Sequence, residues 1–493
     1  MTVRSTVLSL LCALALHCAF PLIGWWWIAP LACAGLTAAW CTLSPRRAAL
    51  VGYASGMVFF SLGFSWFGET AGSLLGPAAP LLDLAPAAIE SIAFALAATV
   101  TSLAARRCDV RLVPIVAAAA YTIAELLRSS GVLGVPLEQL GVALIDSPLR
   151  PLAAYAGVYG ITFVTALLGA VLGWWLLDPR DLRRGATALA AWFAVVACTA
   201  AAWAFWPARF HAAPARHVAA VQGGIAQTLK MSSQGLQTGI ARYLALTASL
   251  RTQTVKPTLV LWPETVITTV LDAPQNAGLM RRISSLSREL NATLVVGSLA
   301  QRPNGIANAL FFFEPSGATA VYAKEQLVPF AEYVPGPAWL RSLPYADQIG
   351  IYAPGTNARE TFDGGVTPMI CWESLFTDIA HDRVAGDPSL YVISTDDAWF
   401  GTTEFPYEHA MAATVRAVET GRWVLRAGAT GISGIVAPDG TWTQRTALGG
   451  PAIVTGDVGA PSPAPYAALG PTPITVALLL AAALPFVRRR SAA

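Results

Sequence analysis

The sequence predicts a fold in two parts, a bundle of about eight membrane-spanning helices and an α/β domain outside the membrane. Composition is the first reason: the mean hydropathy is +0.54 and only 12% of the residues are charged, far fewer than in an average soluble protein. The second is a change in composition near residue 210, after which short β-rich runs alternate with helical stretches. We therefore expect seven spans in residues 1–210, an external domain in 211–462, and a linker, an eighth span and a basic tail in 463–493.

The predicted spans are apolar stretches close to the roughly 20 residues that a helix needs to cross a bilayer. Arg4 precedes the first stretch, but no small-residue cleavage site follows it, so we expect a retained anchor and not a signal peptide. Enrichment of the stretches in Ala and Gly favours close packing between helices. The stretches lie at about 5–23, 25–43, 48–66, 85–105, 112–129, 151–177, 186–206 and 472–487.

Basic residues in the connections predict how the spans are oriented, because Lys and Arg near span ends are retained in the cytoplasm. When successive spans cross the membrane in alternating directions, most arginines fall on one side, and the short loops on the other side hold only Arg128 and Arg150. Both termini are therefore expected in the cytoplasm and the external domain in the periplasm. The arginines on the predicted inner side are Arg4, Arg46, Arg47, Arg106, Arg107, Arg111, Arg180, Arg183, Arg184, Arg488, Arg489 and Arg490.

The external domain shows strand candidates separated by amphipathic helical stretches, and its roughly 240 residues can bury one large core. Helices are expected at 233–253, 274–290, 373–385 and 405–420. Asp439-Gly440 is a tight-turn signal, so an antiparallel pair is expected around it. The strand candidates are HVAAVQG, TLVLWPE, TLVVGSL, NALFFFE, TAVYAK, VTPMIC, SLYVIST, WVLRAG and GISGIVAP.

Cys371 is the only cysteine of the external domain, since the other six cysteines lie in or beside the predicted spans. A structural disulfide within that domain is therefore excluded, and an unpaired thiol in an oxidising compartment suggests a nucleophile. The alternative is a buried cysteine that packs as a small apolar residue. Its position favours the nucleophile, because Cys371 closes a strand and precedes a helical stretch, whose N-terminus would lower the pKa of the thiol.

Glu264 and Lys324 also stand at strand ends, where side chains of different strands can meet. Glu264 ends LVLWPE and can act as the base that takes the thiol proton, although most acids at such positions are merely solvated. Lys324 follows TAVYA, where its ammonium can face the charge that develops on an oxyanion, although a single lysine is usually just exposed. The spacing alone does not establish that these residues meet Cys371.

At this point the chain resembles the apolipoprotein N-acyltransferase family, the membrane-embedded branch of the nitrilase superfamily, over almost its whole length. The resemblance implies a nitrilase-like α-β-β-α sandwich for the external, catalytic domain. The matching strings are VQGGIAQTLK, LVLWPET, YAKEQLVPFAEYVPGP, MICWESLF, STDDAWFGTTEFPYEHAMAATVRAVETGR and GISGIVAPDG.

Carried over residue by residue, the resemblance implies that Glu264 is the general base, Lys324 stabilises the oxyanion and Cys371 is the nucleophile. Glu332 and Glu373 are implied as supporting acids, against the alternative of ordinary loop or helix-start charges.

Three aromatic residues are candidates for the substrate pocket. Trp372, next to the nucleophile, is either a wall of the acyl pocket or core packing. Trp339 and Tyr345, in the segment GPAWLRSLPYADQIGIYAP, are expected to dip into the membrane interface beside the site, a depth that aromatic side chains favour.

Three departures from the family pattern bear on the substrate more than on the reaction. Lys230 is followed by Met231 where the family typically has tryptophan, Glu325-Gln326 replaces a basic pair, and Ala427–Gly431 lacks an expected asparagine. A specialised paralogue of the kind associated with plasmid conjugal transfer, with a different acyl acceptor, is therefore a second interpretation.

The reaction that the resemblance implies moves an acyl chain from a membrane phospholipid to Cys371 and then to the α-amine of a diacylglyceryl-cysteine in an apolipoprotein. The implied location is the bacterial inner membrane, with a phospholipid and a diacylated apolipoprotein as partners.

Two other functions remain open. A membrane-anchored amidase would use the same triad with water as acceptor, but its spans would be unexplained. A transport or assembly protein would use intramembrane acids such as Glu90 and Glu125. These show no regular pairing and are better explained as acids that bond between helices or lie near span ends.

Cofactors and nucleic acid are not expected. The five histidines show no metal-ligand spacing, no glycine-rich phosphate loop is present, and no block of like charges suggests nucleic acid. His409 is expected on a helix, either at its surface or in the core.

Overall fold

The computed structural model describes residues 2–68, 84–206, 214–230, 232–336, 338–342, 350–356 and 359–487. These residues form two compact units. The first holds the helices before Trp206 and the C-terminal segment from Ala468, and the second runs from Pro207 to Ala467 and also includes Gly131–Leu133.

The first unit is helical throughout its described elements. Its helices up to residue 206 are α1 (Thr2–His17), α2 (Ile28–Thr42), α3 (Pro45–Gly63), α4 (Leu84–Arg107), α5 (Val113–Arg128), the short α6 (Leu140–Ala143), α7 (Ala153–Leu176) and α8 (Leu182–Ala204).

Small residues allow these helices to approach closely, as the composition predicts. A Cβ atom added to Gly52 of α3 would lie 2.6 Å from the Cβ of Ala98 in α4. Polar side chains add bonds between helices: Glu90 pairs with Arg128 at 3.2 Å, and Thr162 donates to Glu125 at 2.6 Å. The prediction that these acids bond between helices is confirmed.

The second unit contains two β-sheets and the helices that cover them. Its strands are β1 (Pro214–Gln222), β2 (Leu259–Leu261), β3 (Ile267–Val270), β4 (Thr293–Arg302), β5 (Gly305–Phe313), β6 (Thr319–Ala323), β7 (Val366–Ile370), β8 (Leu390–Thr395), β9 (Trp423–Gly428), β10 (Gly434–Val436), β11 (Trp442–Arg445) and β12 (Ala452–Gly459). Its helices are α9 (Gln227–Lys230), α10 (Ser233–Ser249), α11 (Ala277–Leu290), α12 (Thr377–Arg383) and α13 (Phe405–Thr420), and the chain leaves the second unit within α14 (Pro465–Leu469). One more helix, α15 (Thr472–Ala483), belongs to the first unit.

The two sheets pack face to face between helical layers. The first sheet has the order β12-β1-β2-β4-β5-β6, with β3 beside β4, and the second has the order β11-β10-β9-β8-β7. Val218, Leu259 and Leu310 of the first sheet share one buried cluster with Val366 and Val392 of the second. The second unit is therefore a helix-sheet-sheet-helix sandwich.

A helical layer covers the outer face of each sheet. Residues of α10 and α11, such as Tyr243 and Leu286, cover the first sheet, and Ala380 of α12 and Ala413 of α13 cover the second.

Three of the predicted spans coincide with helices long and apolar enough to cross a membrane, namely Leu84–Arg107, Arg150–Leu176 and Leu182–Ala204. Three others coincide with the shorter apolar helices Val3–His17, Ile28–Thr42 and Thr472–Phe486. The remaining two predicted spans, 48–66 and 112–129, overlap α3 and α5. The first unit is therefore a helical region with the composition of a membrane protein, and the count of eight spans stays a prediction.

Candidate active site

Glu264 lies three residues beyond β2, at the carboxyl end of this parallel strand, and its side chain is buried. One carboxylate oxygen, Oε1, accepts from the Asn308 side-chain amide at 2.7 Å and from the Lys324 ammonium at 3.3 Å. The other, Oε2, accepts from the backbone N–H of Asp396 at 2.9 Å. Three donors, one from within a strand and two from just beyond strand ends, therefore fix this carboxylate.

Lys324 follows β6 directly, and its side chain is only 1% exposed. Its Nζ donates to Glu264 at 3.3 Å and to Glu332 at 2.9 Å, so one ammonium is shared by two carboxylates. Asn308 donates to the same two acids, with its Nδ2 3.1 Å from Glu332. Glu332 also accepts from the backbone N–H of Val328 at 2.8 Å, and this bond holds the turn between the two residues.

These charges reinforce one another. Although burial raises the pKa of Glu264, the Lys324 ammonium and the Asn308 amide hold it below its ordinary value. Burial lowers the pKa of Lys324, but Glu332 and Glu264 raise it far more, so the amine is protonated. Lys324 is therefore a fixed cation beside an ionised base.

Cys371 stands at the junction of β7 and a short 3₁₀ turn, Cys371–Leu375. Its φ angle of 50° lies in the left-handed region, which a residue with a Cβ rarely adopts. The side chain is half-buried. Strain of this kind persists only where the surroundings enforce it, and it is common at active sites.

The expectation of a lowered thiol pKa is wrong for the resting protein. Burial raises the pKa of Cys371 well above its usual range, and the Glu264 carboxylate raises it further, while Lys324 opposes them. The element after the cysteine is a single 3₁₀ turn instead of a regular helix, so it supplies little dipole. The resting thiol is protonated and lies within the electrostatic influence of the Glu264 carboxylate.

Glu373 is fully buried but does not join the Glu264 and Lys324 cluster. Its Oε2 accepts from the N–H of Ile370 at 2.7 Å, just before the cysteine. Its Oε1 accepts from the N–H of Glu325 at 2.8 Å, just after the lysine, and from Arg383 at 3.1 Å. Glu373 therefore links the backbone beside Cys371 to the backbone beside Lys324.

The aromatic pocket candidates fall into different environments. Trp372 is 6% exposed and packs edge-on against Phe376, with ring centroids 6.1 Å apart, so it belongs to the core beside Cys371. Trp339 is 63% exposed in a short 3₁₀ turn. Tyr345 and Met231 lie outside the described residues. Of the other departures, Glu325 bonds Glu373 through its backbone, which does not depend on its side chain.

Several neighbours of the site are absent from the residues predicted for it. Asn308 lies within β5, and its amide bridges Glu264 and Glu332. Asp396 follows β8 and pairs with the buried Lys230 at 2.5 Å. These residues stand far apart in the chain, and the only sequence signal for Asn308 is that a polar residue opens the apolar run NALFFFE.

Two further buried residues, His409 and Asp397, lie close to Cys371. His409 of α13 lies 3.1 Å from the carbonyl oxygen of Cys371, and its other ring nitrogen lies 2.8 Å from Asp397. Of the two environments expected for His409, the core is therefore the one observed.

Family models match both parts of the chain. Residues 12–171 match the model described as apolipoprotein N-acyltransferase N-terminal domain, and residues 217–461 match the one described as carbon-nitrogen hydrolase.

Two curated relatives extend the likeness over most of the chain. An apolipoprotein N-acyltransferase of Azotobacter vinelandii is 32% identical over 438 residues, covering 84% of this chain and 81% of the relative. One of Pseudomonas syringae pv. tomato is 30% identical over 428 residues, covering 82% and 80%.

Solved structures resemble about half of the chain. A CN-hydrolase superfamily protein from Xanthomonas campestris covers 52% of this chain and 96% of its own, with 19% identity and a TM-score of 0.39. The match to an amidase from Nesterenkonia covers 53% of this chain and 99% of the amidase, with 18% identity and a TM-score of 0.40.

Proposed function

Because the chain belongs to the apolipoprotein N-acyltransferase family and is an acyltransferase, we propose that Cys371, Glu264 and Lys324 transfer an acyl chain from a membrane phospholipid to a lipoprotein amine. The observation that carries the proposal is the Lys324 ammonium shared between Glu264 and Glu332, with the Cys371 thiol inside the electrostatic influence of both Lys324 and Glu264. Such a group offers a base, a nucleophile and a cation that faces developing negative charge.

In the first half-reaction the thiol attacks the ester carbonyl carbon of the phospholipid. Glu264 takes the thiol proton as the carbon–sulfur bond forms, and the carbonyl oxygen becomes an oxyanion that Lys324 stabilises. When the intermediate collapses, the ester carbon–oxygen bond breaks and Glu264 returns the proton to the departing alkoxide. The products are a lysophospholipid and a thioester on Cys371.

In the second half-reaction the α-amine of a diacylglyceryl-cysteine attacks the thioester carbonyl. Glu264 takes a proton from the attacking nitrogen, Lys324 again faces the oxyanion, and the carbon–sulfur bond breaks. The proton returns to sulfur, which leaves an amide and the free thiol. The scheme is redox-neutral, because each bond that forms is matched by one that breaks and every proton moves between Glu264 and the reacting atoms.

Glu332 and Glu373 act through other groups in this proposal. Glu332 holds Lys324 through a hydrogen bond of 2.9 Å to its Nζ. Glu373 sets the spacing between the two catalytic segments through backbone N–H groups. Neither needs to touch the substrate.

The apolar helices fit a lipid substrate. Exposing an acyl chain to water costs about 0.8 kcal/mol per CH₂, so chemistry at the bilayer surface avoids a large barrier. We propose seven spans in 1–210, a periplasmic catalytic domain in 211–462 and an eighth span in 463–493, with both termini in the cytoplasm of a bacterium and the protein in its inner membrane.

Trp339, with its side chain 63% exposed, is the described residue best suited to dip into the interface. A Trp339→Glu variant is expected to turn over vesicle phospholipid more slowly, because a carboxylate is disfavoured at that depth. Turnover of a water-soluble short-chain ester should stay near the wild-type rate, and equal rates on vesicles would argue against contact with the bilayer.

The direct test of the proposed function is mass spectrometry of the purified full-length protein mixed with phospholipid vesicles. We expect an acyl mass on the peptide that contains Cys371 and its loss when a diacylated lipopeptide with a free α-amine is added. A protein that stays unmodified would overturn the phospholipid donor. A thioester discharged equally well by water would favour the membrane-anchored amidase.

A further inference from the structure

His409 occupies a buried position that the proposed reaction scheme does not use. It lies in the second turn of α13 with no exposed surface, and both of its ring nitrogens have partners. Nδ1 lies 2.8 Å from Oδ1 of Asp397, and Nε2 lies 3.1 Å from both the Cys371 carbonyl oxygen and the Ser374 hydroxyl.

The partners determine which atoms donate. The Ser374 hydroxyl donates to the Cys371 carbonyl at 2.7 Å, so its proton is already used. A carbonyl oxygen can only accept, so the contact with Cys371 is a hydrogen bond that Nε2 of His409 donates. Through Nδ1 the same ring is bonded to the Asp397 carboxylate, so His409 links that carboxylate to the Cys371 backbone.

Asp397 is anchored in turn. Its other oxygen accepts from Arg426 at 2.7 Å, and Thr395 donates to Oδ1 at 2.8 Å. Arg426, Asp397 and His409 have no exposed surface, so the chain of bonds from β9 to the nucleophile is shielded from water. Hydrogen bonds between ionised groups in such surroundings are strong and well oriented.

The last acceptor in this chain is the backbone of a strained residue. Cys371 has a φ of 50°, and the two donors on its carbonyl, Ser374 and His409, restrict rotation of that peptide group. The same peptide geometry sets the direction of the Cys371 side chain relative to Glu264 and Lys324.

We infer that His409, held by Asp397 and Arg426, is a positioning residue that keeps the Cys371 backbone in its left-handed conformation and so aims the thiol at the acyl carbonyl. The inference rests on the proposed role of Cys371 as nucleophile. Loss of the imidazole donor would let the peptide group relax, and a misplacement of about 1 Å can cost on the order of a hundredfold in rate.

The test compares variants of the full-length enzyme in detergent or vesicles. His409→Phe keeps an aromatic ring but removes both ring nitrogens, and we expect kcat for phospholipid to fall by roughly tenfold to a hundredfold with the KM for the donor within about twofold. His409→Gln retains an N–H group that can reach the carbonyl and should recover part of the loss.

Alkylation of Cys371 by iodoacetamide supplies a readout that needs no lipid. We expect it to slow in His409→Phe and to recover partly in His409→Gln, whatever the acyl donor proves to be. Failure of wild-type protein to form an acyl-enzyme would therefore count against the proposed function alone.

Thr414→Ala is the matched control, because Thr414 is buried on the same helix but accepts from Trp442 instead of contacting Cys371. It should lower the melting temperature without changing kcat or alkylation. Wild-type kcat and alkylation in His409→Phe, with only a lower melting temperature, would overturn the inference. If His409→Phe does not fold, Ser374→Ala and Asp397→Asn take its place. Wild-type kcat and alkylation rates in both of these variants would overturn the inference.

Discussion

At the scale of single residues, the resting site holds a neutral thiol at Cys371 and an ionised carboxylate at Glu264. A preformed thiolate paired with a protonated partner would be the reverse. Glu264 is ionised because Lys324 and Asn308 outweigh its burial, whereas burial and Glu264 keep Cys371 protonated. In the proposed reaction the thiol proton therefore has to move from Cys371 during the attack, and Glu264 is already ionised to accept it.

This arrangement predicts an unusual effect of Glu264→Gln. The variant should lose acyl transfer, since no base remains, by about 10²-fold to 10⁴-fold. The Cys371 thiol should nevertheless ionise at lower pH than in the wild type, because a negative charge that raises its pKa is removed while Lys324 stays. The measurement is the pH dependence of iodoacetamide alkylation, whose midpoint in the wild type is expected above the ordinary thiol value of about 8.5.

The control for that pH profile is Glu289→Gln, which removes the same charge from an exposed position on α11. Its alkylation midpoint should match that of the wild type. A midpoint that moves to higher pH in Glu264→Gln would show that the carboxylate does not face the thiol.

The residues of the site could be predicted only in part from the sequence. Glu264, Lys324 and Cys371 each follow a strand and lie in family strings. Asp396 and His409 also lie in a family string, but nothing in that string distinguishes them from its other polar residues, and Asn308 lies in none. Their role depends on pairs such as Asn308 with Glu264, which lie 44 positions apart and meet only through the tertiary fold.

At the scale of elements, the turn after β7 depends on a buried ion pair. Arg383 at the end of α12 and Glu373 in the turn are both fully buried and 3.1 Å apart. Arg383 also donates to the Tyr322 hydroxyl at 2.5 Å. Removing one member leaves the other as an uncompensated buried charge.

Arg383→Met is therefore expected to destabilise the second unit by about 3–5 kcal/mol, measured by chemical denaturation followed through tryptophan fluorescence. Arg359→Met is a matched control, because Arg359 pairs with Asp382 of the same helix but is well exposed. The control should change the denaturation midpoint little. Equal and small effects in both variants would show that the buried pair contributes no more than a surface pair.

Most elements follow from the pattern of side chains. All nine strand candidates correspond to observed strands, and the antiparallel pair around Asp439-Gly440 is confirmed as β10 and β11. The sequence did not indicate β3 or β12. The strand β12 completes the first sheet by antiparallel pairing with β1, and its exposed and half-buried positions lack the apolar run that marks the central strands.

The strand β3 has only four residues, and a single one of them is buried. It is held at the sheet by β4, where Ile267 pairs with Ser298. A segment this short has no periodicity to detect, so only the tertiary structure reveals it.

At the scale of the whole molecule, the distribution of arginines predicts which side of the membrane each segment faces. In a cysteine-free background on intact cells, Thr441→Cys should react with a membrane-impermeant maleimide that enters the periplasm, because it lies in the proposed periplasmic domain. Asp178→Cys, in the connection that holds Arg180, should react only after the cells are opened. The reverse pattern would overturn the proposed orientation.

In the proposed periplasmic location, the protonated state of Cys371 has a further consequence for survival of the enzyme. Peroxides and disulfides react with the thiolate, so a buried thiol with a raised pKa resists conversion to sulfenic acid or to a mixed disulfide. A cell envelope without a glutathione pool could not easily repair such damage. Holding the sulfur as a neutral thiol until an acyl donor arrives lets one unprotected cysteine persist through many turnovers.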